Sequence, residues 1–211
     1  MTQEERNTQS LTKILDAAIR EFGEYGYYES SLNRICRAGN ISKGRLYHYF
    51  PDKEALFYAC VYKAYDDFKN FMELYRPNPS ATIEQNFHDY FQHRQYFFFL
   101  NPYYPQILFS SLKWSNPPED PTGQVHHHIQ QYYACTDRLI YRIFELYSSY
   151  LVPDRTLAVE VVRVAINRIQ FDFGFPAWDP KNPSEKLMAE NLERFDRLIN
   201  LLLYGALKRQ L

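Results

Sequence analysis

Apolar side chains recur at intervals of three and four along almost the whole of this 211-residue chain, a spacing that suits helices and little else. Ile14, Leu15, Ala18, Ile19 and Phe22 form the first stripe, which Gly23 and Gly26 are expected to end. A short helix is predicted from about Leu32 to Ala38, with Ser30 or Ser31 as N-cap, and another over Ser42–Phe50, capped by Ser42. Asp52 caps a long helix carrying Leu56, Phe57, Cys60, Val61, Ala64, Phe68 and Phe71, which stops before the breaker RPNPS. Helical spacing resumes over Ile83–Leu100, within NPYYPQILFSSLKW, over Val125–Tyr150, from Pro153 and Asp154 to about Phe173, and from Ser184 to about Lys208. No strand and no internal repeat stands out. The expected class is all-α, with about nine helices and a division near residues 50–55.

Net charge is −1, so bulk charge argues for no polyanion partner, and any such partner must be sought in local patterning. The polar start MTQEERNTQS has no apolar core of a signal peptide, and no long apolar run is free of charge or proline, so neither export nor a membrane span is expected. Cys36, Cys60 and Cys135 are widely spaced and fit three buried small hydrophobes in a reducing cytoplasm.

The segment SKGRLYHYF, Ser42–Phe50, carries the strongest local signal. On a helix beginning at Ser42, Leu46 and Phe50 share the buried face, and Lys43, Gly44, Arg45, Tyr47, His48 and Tyr49 lie toward the outside or the rim. Gly44 costs about 1 kcal/mol of helix propensity, which close approach by a partner would explain. No Asp or Glu occurs from Ser30 to Pro51, whereas Arg34, Arg37, Lys43 and Arg45 do. Helix, tight turn at Gly39-Asn40 and short basic helix match the helix-turn-helix pattern of DNA-binding proteins. A solvated basic helix in a helical bundle fits the same pattern.

The stretch from Ile14 to Phe57, ILDAAIREFGEYGYYESSLNRI followed by ISKGRLYHYFPDKEALF, resembles the DNA-binding domain of TetR-family transcriptional regulators. The turn position usually glycine in that family is Asn40 here, with Gly39 before it. The resemblance implies a helix-turn-helix domain over residues 1–51 and an effector-binding and dimerisation domain over 52–211. It implies that Ser31 meets a phosphate through its hydroxyl and backbone N–H. Ser42, Lys43, Gly44 and Arg45 would lie at the head of the recognition helix, with Lys43 and Arg45 suited to guanine. Tyr47, His48 and Tyr49 would contact phosphate or thymine methyl groups, and Lys53 a phosphate.

The implied protein is a cytoplasmic homodimeric repressor, released from a palindromic double-stranded DNA operator by a small effector. A regulator without an effector, or one controlled by a protein partner, stays open. Aromatic residues make up 18% of the chain, so a planar or hydrophobic effector is expected. Tyr90, His93, Phe97, Tyr104, Tyr132, Asn167 and Gln170 are the expected contacts, and an aromatic-rich core is the competing use of the same rings. Val162, Ile166, Ile169, Leu192, Phe195, Leu198, Ile199 and Leu202 are the expected dimer contacts on the last two helices. Consecutive His126–His128 face different directions on a helix and suit no single metal, and no cofactor is expected. No nucleophile elbow, phosphate loop or metal motif occurs, so catalysis is not expected.

Overall fold

The computed structural model describes residues 2–113, 124–147, 154–169 and 177–204. The described residues are all-α, with nine helices and no strand: α1 (Gln3–Glu29), α2 (Leu32–Ala38), α3 (Lys43–Tyr49), α4 (Lys53–Met72), α5 (Ile83–Leu100), α6 (Tyr104–Lys113), α7 (Gln124–Leu146), α8 (Arg155–Ile169) and α9 (Glu185–Tyr204). The expected ends near Tyr150, Phe173 and Lys208 fall outside the described residues.

The helices form two compact units, Met1–Asp67 with Asn101–Ile129, and Phe68–Leu100 with Gln130–Leu211. In the first, Ile14, Ala18, Phe22, Ile35, Leu46, Leu56, Phe57, Cys60 and Val61 make the core. Phe22 meets Phe57 edge to face at 4.9 Å, a geometry in which ring edge and ring face attract.

Helix α1 departs from expectation at both ends. It begins at Gln3, because Thr2 and Glu5 form a reciprocal capping box in which each side chain accepts from the other's backbone N–H, at 3.1 and 2.7 Å. It also runs through Gly23. A Cβ there would lie 2.4 Å from the Tyr103 carbonyl oxygen, so the glycine serves the close packing of α1 on α6. Only Gly26, at φ 71°, interrupts the helix.

In the second unit α9 packs on α5 and α8. Phe91 and Phe195 stack at 4.2 Å in its core, with Phe87, Phe97, Phe98, Ile140, Ile143, Ile166 and Ile199. Asn86 is fully buried and ties down the loop before α5: it donates to the Asn78 carbonyl at 2.9 Å and accepts from the Asn78 N–H at 2.7 Å. Cys36, Cys60 and Cys135 are buried and unpaired, and burial pushes the Cys60 thiol pKa up, which leaves it unreactive.

Candidate nucleic-acid interface

Helix α2 ends at Gly39, whose N–H donates to the Ile35 carbonyl, and α3 begins at a capping serine. The Ser42 hydroxyl accepts from the Arg45 N–H at 3.2 Å and starts α3. In the turn, two tasks fall to two residues. Asn40 takes the left-handed conformation at φ 51°. Gly39 gives room: a Cβ there would meet Ile41 Cδ1 at 2.4 Å, which that side chain could relieve by turning, and Ala17 Cβ at 3.2 Å. The displaced glycine therefore leaves the turn intact.

Leu46 and Phe50 are buried and hold α3 to the core. Ser42, Lys43, Gly44, Tyr47 and His48 are exposed, and Arg45 and Tyr49 are half-buried. A Cβ on Gly44 would have nothing within 4 Å. No contact among the described residues therefore requires glycine at this helical position, where propensity disfavours it.

The positive charge is smaller than the acid-free window Ser30–Pro51 implied, because Glu21 enters it from α1. Its Oε1 accepts from the Ser31 backbone N–H at 2.8 Å and from Arg34 Nε at 2.7 Å. The Ser31 N–H is thus committed to a carboxylate within the chain, and the hydroxyl makes no capping bond. The hydrogen bond to Glu21 raises the Arg34 pKa further. Lys53 donates to the Tyr28 carbonyl at 3.2 Å and lies 4.8 Å over the Tyr27 ring, and burial holds its pKa below the ordinary lysine value. Arg45 Nη2 donates to Asn7 Oδ1 and Ser10 Oγ, both at 3.0 Å, and to the Tyr49 hydroxyl at 3.2 Å. Arg37 and Lys43 are exposed and have no ion-pair partner among the described residues.

The residues expected at an effector are divided. Tyr90, Phe97 and Tyr132 are buried in the second unit. Tyr132 accepts a short hydrogen bond from Arg94 Nη2, and its hydroxyl lies 3.4 Å from Asn167 Oδ1. Arg94 is fully buried, 4.8 Å over the Phe68 ring. Arg94 stands four residues after Tyr90, on the same face of α5. His93 is held by a backbone group: its Nε2–H donates to the Phe71 carbonyl at 3.0 Å, and its ring stacks on Phe71 at 4.4 Å. It lines an open cavity of about 450 Å³ with Tyr75, Asp89, Tyr96 and Met188. Tyr104 belongs to the first unit, where its hydroxyl donates to Asp67 at 2.6 Å. Gln170 lies outside the described residues. Of the consecutive His126, His127 and His128, His128 turns inward and stacks on Tyr62 at 4.7 Å, and among the described residues no His, Cys, Asp or Glu group could hold a metal.

The expected dimer contacts are mostly out of phase with the free surface. Val162, Ile166, Ile169, Phe195 and Ile199 are buried within the chain. Leu192 and Leu198 are half-buried and Leu202 is exposed. The exposed apolar residues are their neighbours: Leu157, Val161 and Val164 on α8, and Leu201 beside Leu202 on α9. No helix among the described residues is long and apolar enough to cross a membrane.

Residues 14–60, which hold α2, the turn and α3 with the helices that support them, match the family described as bacterial regulatory proteins, tetR family. Residues 14–60 thus carry a DNA-binding segment of the TetR type. The HTH-type transcriptional repressor Rv1474c of Mycobacterium tuberculosis is 47% identical over 47 residues, 22% of this chain and 25% of that protein. The biofilm operon icaADBC HTH-type negative transcriptional regulator IcaR of Staphylococcus aureus is 27% identical over 118 residues, 56% of this chain and 60% of IcaR. The chain thus spans between a quarter and about three fifths of the length of these curated relatives. Among solved structures, the transcriptional regulator FadR from Bacillus subtilis in complex with stearoyl-CoA shares the fold, with a TM-score of 0.67 at 18% identity over 93% of this chain and 99% of that one. The TetR-family regulator PfmR from Thermus thermophilus gives 0.63 at 19% identity, over 92% and 99%.

Proposed function

We propose that this protein is a TetR-family DNA-binding transcriptional repressor that acts as a homodimer in the cytoplasm and is released from a palindromic operator by a small hydrophobic or aromatic effector. The observation that carries the DNA reading is Gly44: an exposed helical glycine with open space around it, beside Lys43, Tyr47 and His48, on a helix anchored by Leu46 and Phe50. Residues 1–51 are the DNA-binding domain and 52–211 the effector-binding and dimerisation domain. Lys43 reads a base; Ser42, Tyr47, His48 and the Ser31 hydroxyl hold phosphates, and Lys53 does so once it leaves the Tyr28 carbonyl.

A two-turn α3 covers few base pairs, so a second copy is needed, with its reading head about 34–36 Å away or a multiple of that. The exposed face of Leu157, Val161, Val164, Leu201 and Leu202 supplies the apolar contact between copies. Helix α4 contributes Lys53–Asp67 to the first unit and its remainder to the second. A shift of α4 on effector binding would therefore change the spacing of the reading heads. The effector contacts are His93 and the Tyr90–Phe97–Tyr132–Asn167 region, with Arg94 added. A fold shared with a FadR solved with stearoyl-CoA favours a fatty-acyl ligand.

The tight burial of Tyr90, Phe97 and Tyr132 favours a second reading, a regulator whose aromatic core admits no ligand. Selection of duplexes from a random DNA pool by the purified protein tests the main reading, with and without stearoyl-CoA. Enrichment of a palindrome that stearoyl-CoA abolishes is expected. No enriched sequence would overturn the DNA reading. An enriched palindrome indifferent to stearoyl-CoA and to a panel of apolar ligands, none of which raises the melting temperature, would favour the second.

A further inference from the structure

Leu46 and Phe50 lie four residues apart, so they anchor α3 along a single line. One line of contact fixes the position of a two-turn helix but leaves its roll about that line weakly determined. The roll matters, because it decides which of Lys43, Tyr47 and His48 meets a groove. A second tether lies beside the first. Arg45 and Tyr49, also four residues apart, reach the first turns of α1: Arg45 Nη2 donates to Asn7 Oδ1 and Ser10 Oγ, both at 3.0 Å, and the Tyr49 hydroxyl donates to the Asn7 carbonyl at 3.1 Å. The two side chains are joined to each other by the 3.2 Å bond from Arg45 Nη2 to the Tyr49 hydroxyl, and the guanidinium lies 5.4 Å from the centre of the Tyr49 ring. Asn7 and Ser10 precede the family match at residues 14–60, and the capping box of Thr2 and Glu5 keeps that part of α1 helical.

This geometry removes Arg45 from base reading. A guanidinium grips guanine through two adjacent N–H groups, on either its Nη1–Nη2 or its Nε–Nη2 edge. Both edges need Nη2, whose two hydrogens already serve three oxygens. We propose that Arg45 is a positioning residue: with Tyr49 it clamps α3 to Asn7 and Ser10 of α1 and sets the roll at which Lys43, Tyr47 and His48 face DNA. The clamp makes the opening turns of α1 a working part of the recognition unit. This role rests on the DNA-binding reading; the clamp itself does not.

A double-mutant cycle in the full chain tests it, with Arg45→Ala, the pair Asn7→Ala/Ser10→Ala, and the combination. The probe is the duplex that the wild-type protein selects from a random pool, together with single-base-pair variants of it, at one salt concentration. Arg45→Ala and the α1 pair should each weaken binding by about tenfold or more, the combination should be no weaker than Arg45→Ala, and the loss should be spread over several base pairs. A loss confined to one G·C pair in Arg45→Ala, with the α1 pair unaffected, identifies a base reader and overturns the proposal. Amide hydrogen exchange of the free protein needs no DNA: both variants should quicken exchange in α3 alike, with the rest of the first unit unchanged. Unaltered α3 exchange in both overturns the clamp, even if the wild-type protein selects no DNA and the DNA-binding reading has failed.

Discussion

Gly44→Ala separates the demands of folding from those of recognition, because the two effects have opposite signs. The added Cβ meets no atom of the chain within 4 Å, and Gly44 has an ordinary helical backbone rather than a left-handed one. Folding therefore incurs no clash, and the unfolded chain loses conformational freedom. Stability should rise by about 0.4–1 kcal/mol, which for a chain of this size raises the melting temperature by about 1–4 °C. Binding responds the other way. The methyl group stands on the exposed side of α3, between Lys43 and the His48 turn, where a groove or phosphate would lie. Losing one close contact there weakens binding by about 1–3 kcal/mol, a factor of about 5 to 150. Differential scanning calorimetry gives the first quantity, and fluorescence anisotropy with a labelled selected duplex at fixed salt gives the second. A variant that is stabilised and binds as tightly as the wild type would refute the reasoning that open space at Gly44 is reserved for DNA.

Gly23→Ala should act on folding alone: its Cβ would lie 2.4 Å from the backbone oxygen of Tyr103, and relieving that overlap costs about 1–3 kcal/mol, measurable by urea unfolding. Val164→Glu, which places a charge on the exposed α8 face, should shift a dimer toward monomer in sedimentation velocity without altering the helical circular dichroism. Burial, and then the hydrogen bond to Asp67, raise the Tyr104 pKa above its ordinary 10.0. The folded state thus holds this proton more tightly than the unfolded state, so the contribution is complete below about pH 10 and fades as pH rises through the folded value. The wild-type protein should lose stability more steeply above pH 10 than Tyr104→Phe does, in unfolding titrations at successive pH values.

Local chemistry was legible in the sequence, and tertiary partnership was not. The start of α3 follows from Ser42 and the end of α2 from the Gly39-Asn40 turn, each acting within a few residues, whereas Ser31 at the start of α2 is held by Glu21 of α1. The start of α1 was equally local, in the T-x-x-E of Thr2–Glu5, but the polar composition there masked it. Gly23 has the composition of a helix end and the function of a packing surface, because its reason lies in Tyr103, eighty residues away. The acid-free window was correct as a string and incomplete in space, since Glu21 reaches Ser31 and Arg34 from another helix. The residues expected at the dimer contact differ from the exposed ones by phase along the helix. Val161 and Val162 belong to one broad apolar stripe, and only the packing of α9 on α8 decides which of them faces inward.

The engagement of Glu21 with Arg34 bears on how such a protein would search a genome. With Arg34 neutralised and Arg45 turned toward α1, Arg37 and Lys43 are the exposed cations left in the window. Attraction to DNA of any sequence comes from releasing condensed counterions, and it grows with the number of phosphates neutralised. A reading head so sparing in free charge would dwell only briefly on random DNA. Each wrong site would be abandoned quickly, little of the protein would be sequestered along the chromosome, and residence on the operator would depend on shape and groove contacts.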